Sequence, residues 1–150
     1  MDGILKGYTV TQIGFVVKNV EEVIEKYRKL TGMDVAATLD TSTIDTGSWK
    51  YRGKGFEGRC NNAAFRFGNV ELEFIQPTEG NNVWWDYLQE HGEGMHHIAF
   101  VVKDIDSVAE KMKNAGYEMI QEGEFDGGRF RYFDGTADLK TTLELLEFDD

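Results

Sequence analysis

Two pairs of residues with cation-binding side chains recur in step along the chain. The segment Gln12-Ile-Gly-Phe-Val-Val-Lys18 returns as His97-Ile-Ala-Phe-Val-Val-Lys103, and Glu71-Leu-Glu73-Phe-Ile-Gln76 is echoed by Thr142-Leu-Glu144-Leu-Leu-Glu147. Gln12 and His97 therefore hold equivalent positions, as do Glu73 and Glu144. An imidazole nitrogen with one amide and two carboxylate oxygens is a donor set for one divalent ion such as Zn²⁺, Ni²⁺, Co²⁺ or Mn²⁺. Two halves related by a pseudo-two-fold axis would bring the four side chains together on a concave sheet.

The elements that must position them are legible from periodicity. Ile13, Phe15 and Val17 alternate as bulky apolar residues, and Ile98, Phe100 and Val102 repeat the pattern, so each copy starts with a strand. These six residues are expected to be buried under helices, which leaves Gln12 and His97 on the other face. Helices follow: Val20, Val23, Ile24, Tyr27 and Leu30 fall at helical spacing, as do Ile105, Val108, Met112 and Ala115. Asn19 and Asp104 stand as N-caps, with Gly32 and Gly116 as C-caps. Three further strands complete each half, at about 34–41, 62–67 and 70–76 and at about 117–121, 129–133 and 141–148, with a tight turn at Gly68-Asn69. Pro77 closes the first half, and 82–91 reads as a linking helix. The glycine-rich stretches 47–58 and 123–128 read as mobile loops. The expected fold class is α+β: two tandem βαβββ modules (about 8–77 and 96–148) forming a cupped mixed sheet with helices outside, in one domain spanning 1–150.

The chain has 150 residues, 41% hydrophobic and 13% aromatic, enough for a sizeable core. Sixteen Lys and Arg against 27 Asp and Glu give a net charge of -11, which argues against nucleic acid or an anionic membrane as partner. The lone Cys60 forms no internal disulfide and reads as an inert core thiol. With no signal-peptide pattern at the N-terminus and no long apolar run, a cytoplasmic protein is expected.

The repeated unit and its Gln12, Glu73, His97, Glu144 set resemble the vicinal oxygen chelate superfamily, which includes glyoxalase I and methylmalonyl-CoA epimerase. The stretches that carry the resemblance are Gly92-Glu-Gly-Met-His96-His97-Ile-Ala-Phe100, Glu71-Leu-Glu73-Phe-Ile-Gln-Pro77 and Thr142-Leu-Glu144-Leu-Leu146. The resemblance implies that each module supplies two ligands to one divalent metal ion, and it implies a homodimer. Glyoxalase I of the Gln, Glu, His, Glu type holds glutathione through residues that are Val16 and Pro77 here, which argues against glutathione. The epimerases use Gln where this chain has Glu73, and extradiol dioxygenases use a first His where it has Gln12.

The implied chemistry is that of a metal-dependent isomerase or lyase. The metal would polarise the carbonyl of a small-molecule substrate while Glu144, with Glu73 as its partner, takes a proton from the neighbouring carbon. Arg129 and Arg131 alternate to one side of a strand and are candidates to hold a substrate carboxylate. Trp49, Tyr51, Phe130 and Tyr132 near the expected mouth suit a ring-bearing or apolar substrate. Of Trp84 and Trp85, one is expected inside the core and one outside. His96 is expected on the face opposite His97 as a core or hydrogen-bonding residue, and Glu71 and Glu147 in solvent. The alternative is a metal-free small-molecule binding protein of the same fold, of the antibiotic-sequestering type.

Overall fold

The computed structural model describes residues 2–150. The first module consists of β1 (Val10–Val16), α1 (Val20–Thr31), β2 (Ala37–Asp40), a 3-10 turn (Thr41–Thr43), the short strands β3 (Lys50–Tyr51) and β4 (Lys54–Gly55), β5 (Arg59–Phe67) and β6 (Val70–Glu79). After α2 (Val83–His91) come β7 (Gly94–Val101), α3 (Ile105–Asn114), β8 (Met119–Phe125), β9 (Gly128–Phe133) and β10 (Thr142–Phe148). All ten strands join one curled mixed sheet in the order β2-β5-β6-β1-β7-β10-β9-β8-β3-β4. In both halves the last long strand lies parallel beside the first, β6 on β1 and β10 on β7, while β1 and β7 pair antiparallel and zip the modules together within one chain.

The two outer helices form where their caps allow. The Asn19 side chain accepts the Glu22 N–H at the start of α1, and Gly32 ends it at φ 71, a left-handed conformation that suits glycine. Val20, Ile24 and Tyr27 pack on Phe65 and Phe74. At α3 the Asp104 side chain accepts from Ser107 N–H, and Ile105, Val108 and Met112 cover Phe133, Leu143 and Leu145. Phe65 and Phe133 are wholly buried, each worth about 2–3 kcal/mol of transfer free energy. A third cluster fills the concave face, where Trp49, Ile75, Trp84, Ala99, Phe130 and Tyr132 meet.

Several expectations need correction. The 47–58 stretch contains the β3–β4 hairpin, and β3 pairs with β8 of the second module; residues 123–125 belong to β8, with a turn before β9. Trp49 anchors this crossing: its ring lies so close over Gly123 that a Cβ there would come within 2.3 Å of it. β6 continues through Pro77 to Glu79, and Pro77 faces a register shift in β5 where its missing N–H is tolerated. The C-cap of α3 is Ala115 rather than Gly116. Val17 and Val102 are buried, but Ile13, Phe15, Ile98 and Phe100 are only half-buried, because α1 packs over β5 and β6 and α3 over β9 and β10 rather than over the central pair.

Both central strands carry a one-residue irregularity just before the equivalent positions. Between Val10 and Gln12 the β1–β7 register shifts at Thr11, and between Met95 and His97 it shifts at His96. Elsewhere in this pair Gln12 lies opposite Ala99 and Gly14 opposite His97. The His97 ring occupies the space a side chain at Gly14 would fill, since a Cβ there would sit 2.0 Å from Cε1. Replacing Gly14 by Ala should therefore destabilise the fold by about 1–3 kcal/mol in urea melts. The penalty should shrink markedly in a His97→Ala background; equal penalties in both backgrounds would show that the imidazole is not what the new methyl meets.

Candidate functional site

β1, β6, β7 and β10 each deliver one polar side chain to the concave face, because successive side chains on a strand alternate and these four share a parity. Glu73 pairs in register with Gly14, and Glu144 with Ala99, so the two small residues leave room across which the side chains reach each other. The result is a group centred on His97 Nε2. Gln12 Oε1 and Glu144 Oε2 each lie 3.1 Å from it, and Glu73 Oε1 lies at 3.6 Å. His97 is fully buried, Glu144 is 5% exposed, and the Glu73 side chain is 19% exposed.

A residue assigned to solvent from sequence belongs to this group. The Glu71 carboxylate accepts from Gln12 Nε2 at 2.8 Å and from Arg66 at 3.2 Å. A carboxylate only accepts, so this contact turns the amide oxygen of Gln12 inward toward His97. The signal was present in sequence as a glutamate on the same strand face as Glu73, but the alternation alone does not say which face residues touch. His96 departs from expectation too. The irregularity at its position breaks the alternation, and its Nδ1 lies 3.0 Å from Nδ1 of His97. With Gln12 Oε1 facing Nε2 of His97, Nε2 carries the proton, and the shared Nδ1 contact is donated by His96.

Burial sets the electrostatics. Desolvation pulls the His97 imidazole down to about 3, so it is neutral, and pulls His96 well below its usual range. Burial first, then the neighbouring acid Glu71, pushes the Glu144 carboxyl up to about 8, against a lowering contribution from Tyr132. Burial, Glu144 and Glu71 push Glu73 well above the ordinary carboxylate range. Among the described residues no Lys or Arg stands within ion-pair reach of Glu73 or Glu144, whose only such contact is His97. Nor are three His, Cys, Asp or Glu side chains among the described residues grouped as a ready-made metal site, the oxygens clustering around the imidazole nitrogen itself.

Above this floor opens a cavity of about 720 Å³. Gln12, Glu73 and Glu144 line its base, Trp49, Trp84, Phe130 and Tyr132 its walls, and Asp45, Glu124 and Asp126 its rim. Trp49 and Tyr132 both line this cavity, with Tyr132 edge-on to His97 at 5.1 Å between ring centroids. Trp84 is the inward tryptophan and Trp85 is half-exposed.

The two arginines lie elsewhere. β9 turns Phe130 and Tyr132 into the cavity, and by alternation Arg129 and Arg131 point to the opposite face. There Arg129 is bound by Glu147 at 2.7 Å and Asp149 at 2.6 Å, and Arg131 reaches Asp106 on α3 at 3.2 Å. The expected arginine–carboxylate contact with substrate is corrected accordingly, and Glu147 is an ion-pair partner rather than a free surface acid. Tyr51 also points away, donating to Asp86 beside a second cavity of about 420 Å³. Cys60 is buried, and desolvation holds its thiol far above the usual range, in keeping with an inert core residue. No helix among the described residues is long and apolar enough to cross a membrane.

Comparison with known proteins agrees with this architecture. A hypothetical protein from Bacillus halodurans superposes with a TM-score of 0.74 at 20% identity, covering 97% of both chains. Methylmalonyl-CoA epimerase from Mycobacterium tuberculosis superposes with a TM-score of 0.69 at 17% identity, over 94% of this chain and 88% of that one. At such identities the likeness is one of fold. In sequence, the uncharacterized protein YqjC of Bacillus subtilis is 25% identical over 108 residues, 72% of this chain and 67% of that protein. A family model matches residues 11–133, from the strand that bears Gln12 through the strand that bears Tyr132; the chain belongs to the Glyoxalase/Bleomycin resistance protein/Dioxygenase superfamily.

Proposed function

We propose that this protein is a divalent-metal-dependent isomerase or lyase that moves a proton next to the carbonyl of a small, largely apolar molecule. One observation carries the reading: two carboxyl groups, Glu73 and Glu144, are held against a neutral imidazole at the base of an aromatic cavity, with no Lys or Arg among the described residues in ion-pair reach of them. Like charges withdrawn from water repel strongly unless a proton or a cation offsets them, and a cation is what would leave both free to act as carboxylates. The oxygens of Gln12, Glu144 and Glu73 lie 3.1, 3.1 and 3.6 Å from His97 Nε2, close enough together for the four side chains to share one ion. Glu144 Oε2 is buried without a hydrogen-bond partner, as an atom reserved for a ligand would be.

The residues that would hold the ion are Gln12, Glu73, His97 and Glu144, and when bound it would supply Lewis acidity toward a substrate carbonyl. His97 must then present a bare Nε2. Its own proton would then sit on Nδ1 and be donated to His96 Nδ1, which requires His96 to carry its proton on Nε2 instead, so the histidine pair would change tautomer together. Glu71 keeps the Gln12 oxygen inward. Glu144 is the first-choice base and Glu73 its partner, since both line the cavity beside the position a substrate carbonyl would take. The aromatic walls exclude water from the reacting carbon.

Elemental analysis of protein purified without chelator should give one divalent ion per chain, and His97→Ala should remove it. Glu144→Gln should retain some metal through its amide oxygen yet lose about 10²–10⁴-fold in turnover, read as exchange of substrate protons in heavy water. Exchange that survives metal removal would refute the mechanism. Stoichiometric binding of aromatic compounds with no metal and no exchange would favour the binding-protein alternative.

Chelated protein should show a distinctive stability profile. His97 has a folded value near 3 against an ordinary 6.5, so its contribution is present above 6.5 and is lost as pH falls toward 3. Glu144 has a folded value near 8 against 4.5, so its contribution is present below 4.5 and is lost as pH rises toward 8. Melting temperature should therefore decline between about pH 6.5 and 8 in chelated protein, where only the carboxyl term changes. Saturating zinc should abolish that decline, and an unchanged slope would count against a cation at these carboxylates.

A further inference from the structure

We infer that the cavity selects ring-bearing carbonyl compounds carrying a positive charge and rejects anionic ones, coenzyme thioesters included. The inference rests on the reading of this cavity as the substrate site and adds the charge of what enters it. Its lining contains five carboxylate side chains and, among the described residues, no Lys, Arg or His. A dication would offset the two at the base. The other three, Asp45, Glu124 and Asp126, are exposed acidic side chains at the rim.

The rim is built rather than incidental. Trp49 Nε1 donates to the carbonyl of Glu124 at 2.9 Å, and the Glu124 N–H donates to Ser48 Oγ at 3.0 Å, tying the loop that bears Asp45 to the β8–β9 hairpin that bears the other two acids. The nearest arginines on that hairpin are committed to Glu147, Asp149 and Asp106 on the opposite face. An incoming phosphate or carboxylate would meet no charged donor, the feature on which anion recognition normally depends. A cation would meet three acidic side chains at the mouth and cavity walls that include the indoles of Trp49 and Trp84.

The unpartnered polar atoms point the same way. Two acceptors that line the cavity, Asn62 Oδ1 and Glu144 Oε2, are buried and lack hydrogen-bond partners, against one such donor, Trp84 Nε1. Glu144 and Trp84 are each more than nine-tenths buried. Without a metal on Glu144, a ligand that supplies donors satisfies more of this surface than one that supplies acceptors; with the metal bound, one acceptor and one donor are left.

Three 2-acetylnaphthalenes that differ only in a 6-substituent (trimethylammonium, tert-butyl or sulfonate) test the charge order by quenching of tryptophan fluorescence. Titrations use the full chain in chelated and in zinc-loaded form. The cation should bind most tightly and the sulfonate most weakly, with a ratio of about tenfold or more at low ionic strength that shrinks in about 1 M salt. The triple variant Asp45→Asn, Glu124→Gln, Asp126→Asn, confined to exposed side chains, should narrow the ratio to about threefold while leaving the tert-butyl probe unchanged. Equal or tighter sulfonate binding, a ratio the variant does not alter, or no binding by any probe below millimolar would overturn the inference. The metal reading fails separately: protein that binds no zinc yet keeps the charge order sustains the charge selection and refutes the metal.

Discussion

The site depends on the antiparallel pairing of β1 with β7, and in particular on the imidazole of His97 lying across Gly14. A one-residue slip in that register would send Gln12 and His97 to the helix-covered face and put Ile13 and Ile98 in their place. The pairing is protected on both sides, because parallel β6 and β10 flank it and carry Glu73 and Glu144 in fixed register. The pseudo-two-fold relation between the halves brings four side chains to one point and requires small residues, Gly14 and Ala99, where they cross. Even the irregularities obey it, since Thr11 and His96 occupy equivalent places in the two copies.

Around that pairing, charge and water are arranged in opposition. The interior holds two carboxylates that burial and mutual repulsion disfavour, beside histidines that burial keeps neutral. A stability optimum alone would not retain such a group; hydrophobic residues of similar volume would cost less. The fold tolerates it because three apolar clusters carry the stability elsewhere: one beneath α1, one beneath α3, and one in the cavity walls. Two of the three clusters lie on the helix-covered face, away from the polar group, and the third encloses it.

The two faces of the sheet also separate the arginines from the cavity. On β9 alternate residues serve opposite purposes: Phe130 and Tyr132 build the cavity, while Arg129 and Arg131 tie β9 to the C-terminal residues and to α3. The cavity therefore combines aromatic walls with an acidic rim, a chemistry distinct from that of a pocket for phosphate-bearing ligands.

Much of this was legible in the residues themselves. The duplication, the alternation on the first and last strands, and the helix caps at Asn19 and Asp104 follow from local periodicity and side-chain chemistry, and together they put Gln12, Glu73, His97 and Glu144 on one face. The local pattern failed where it depends on contacts distant in the chain. Glu71 reads as solvated in sequence because its partners, Gln12 and Arg66, are set by strand register. Alternation sends His96 to the opposite face, because nothing in composition marks the irregularity that interrupts the two-residue period. The stretch 47–58 reads as a loop because its two short strands are stabilised by β8, which lies in the other module. Strand alternation says that residues share a face; only the closing of the sheet decides which face becomes a cavity, which side chains meet across it, and which charges are left without a partner.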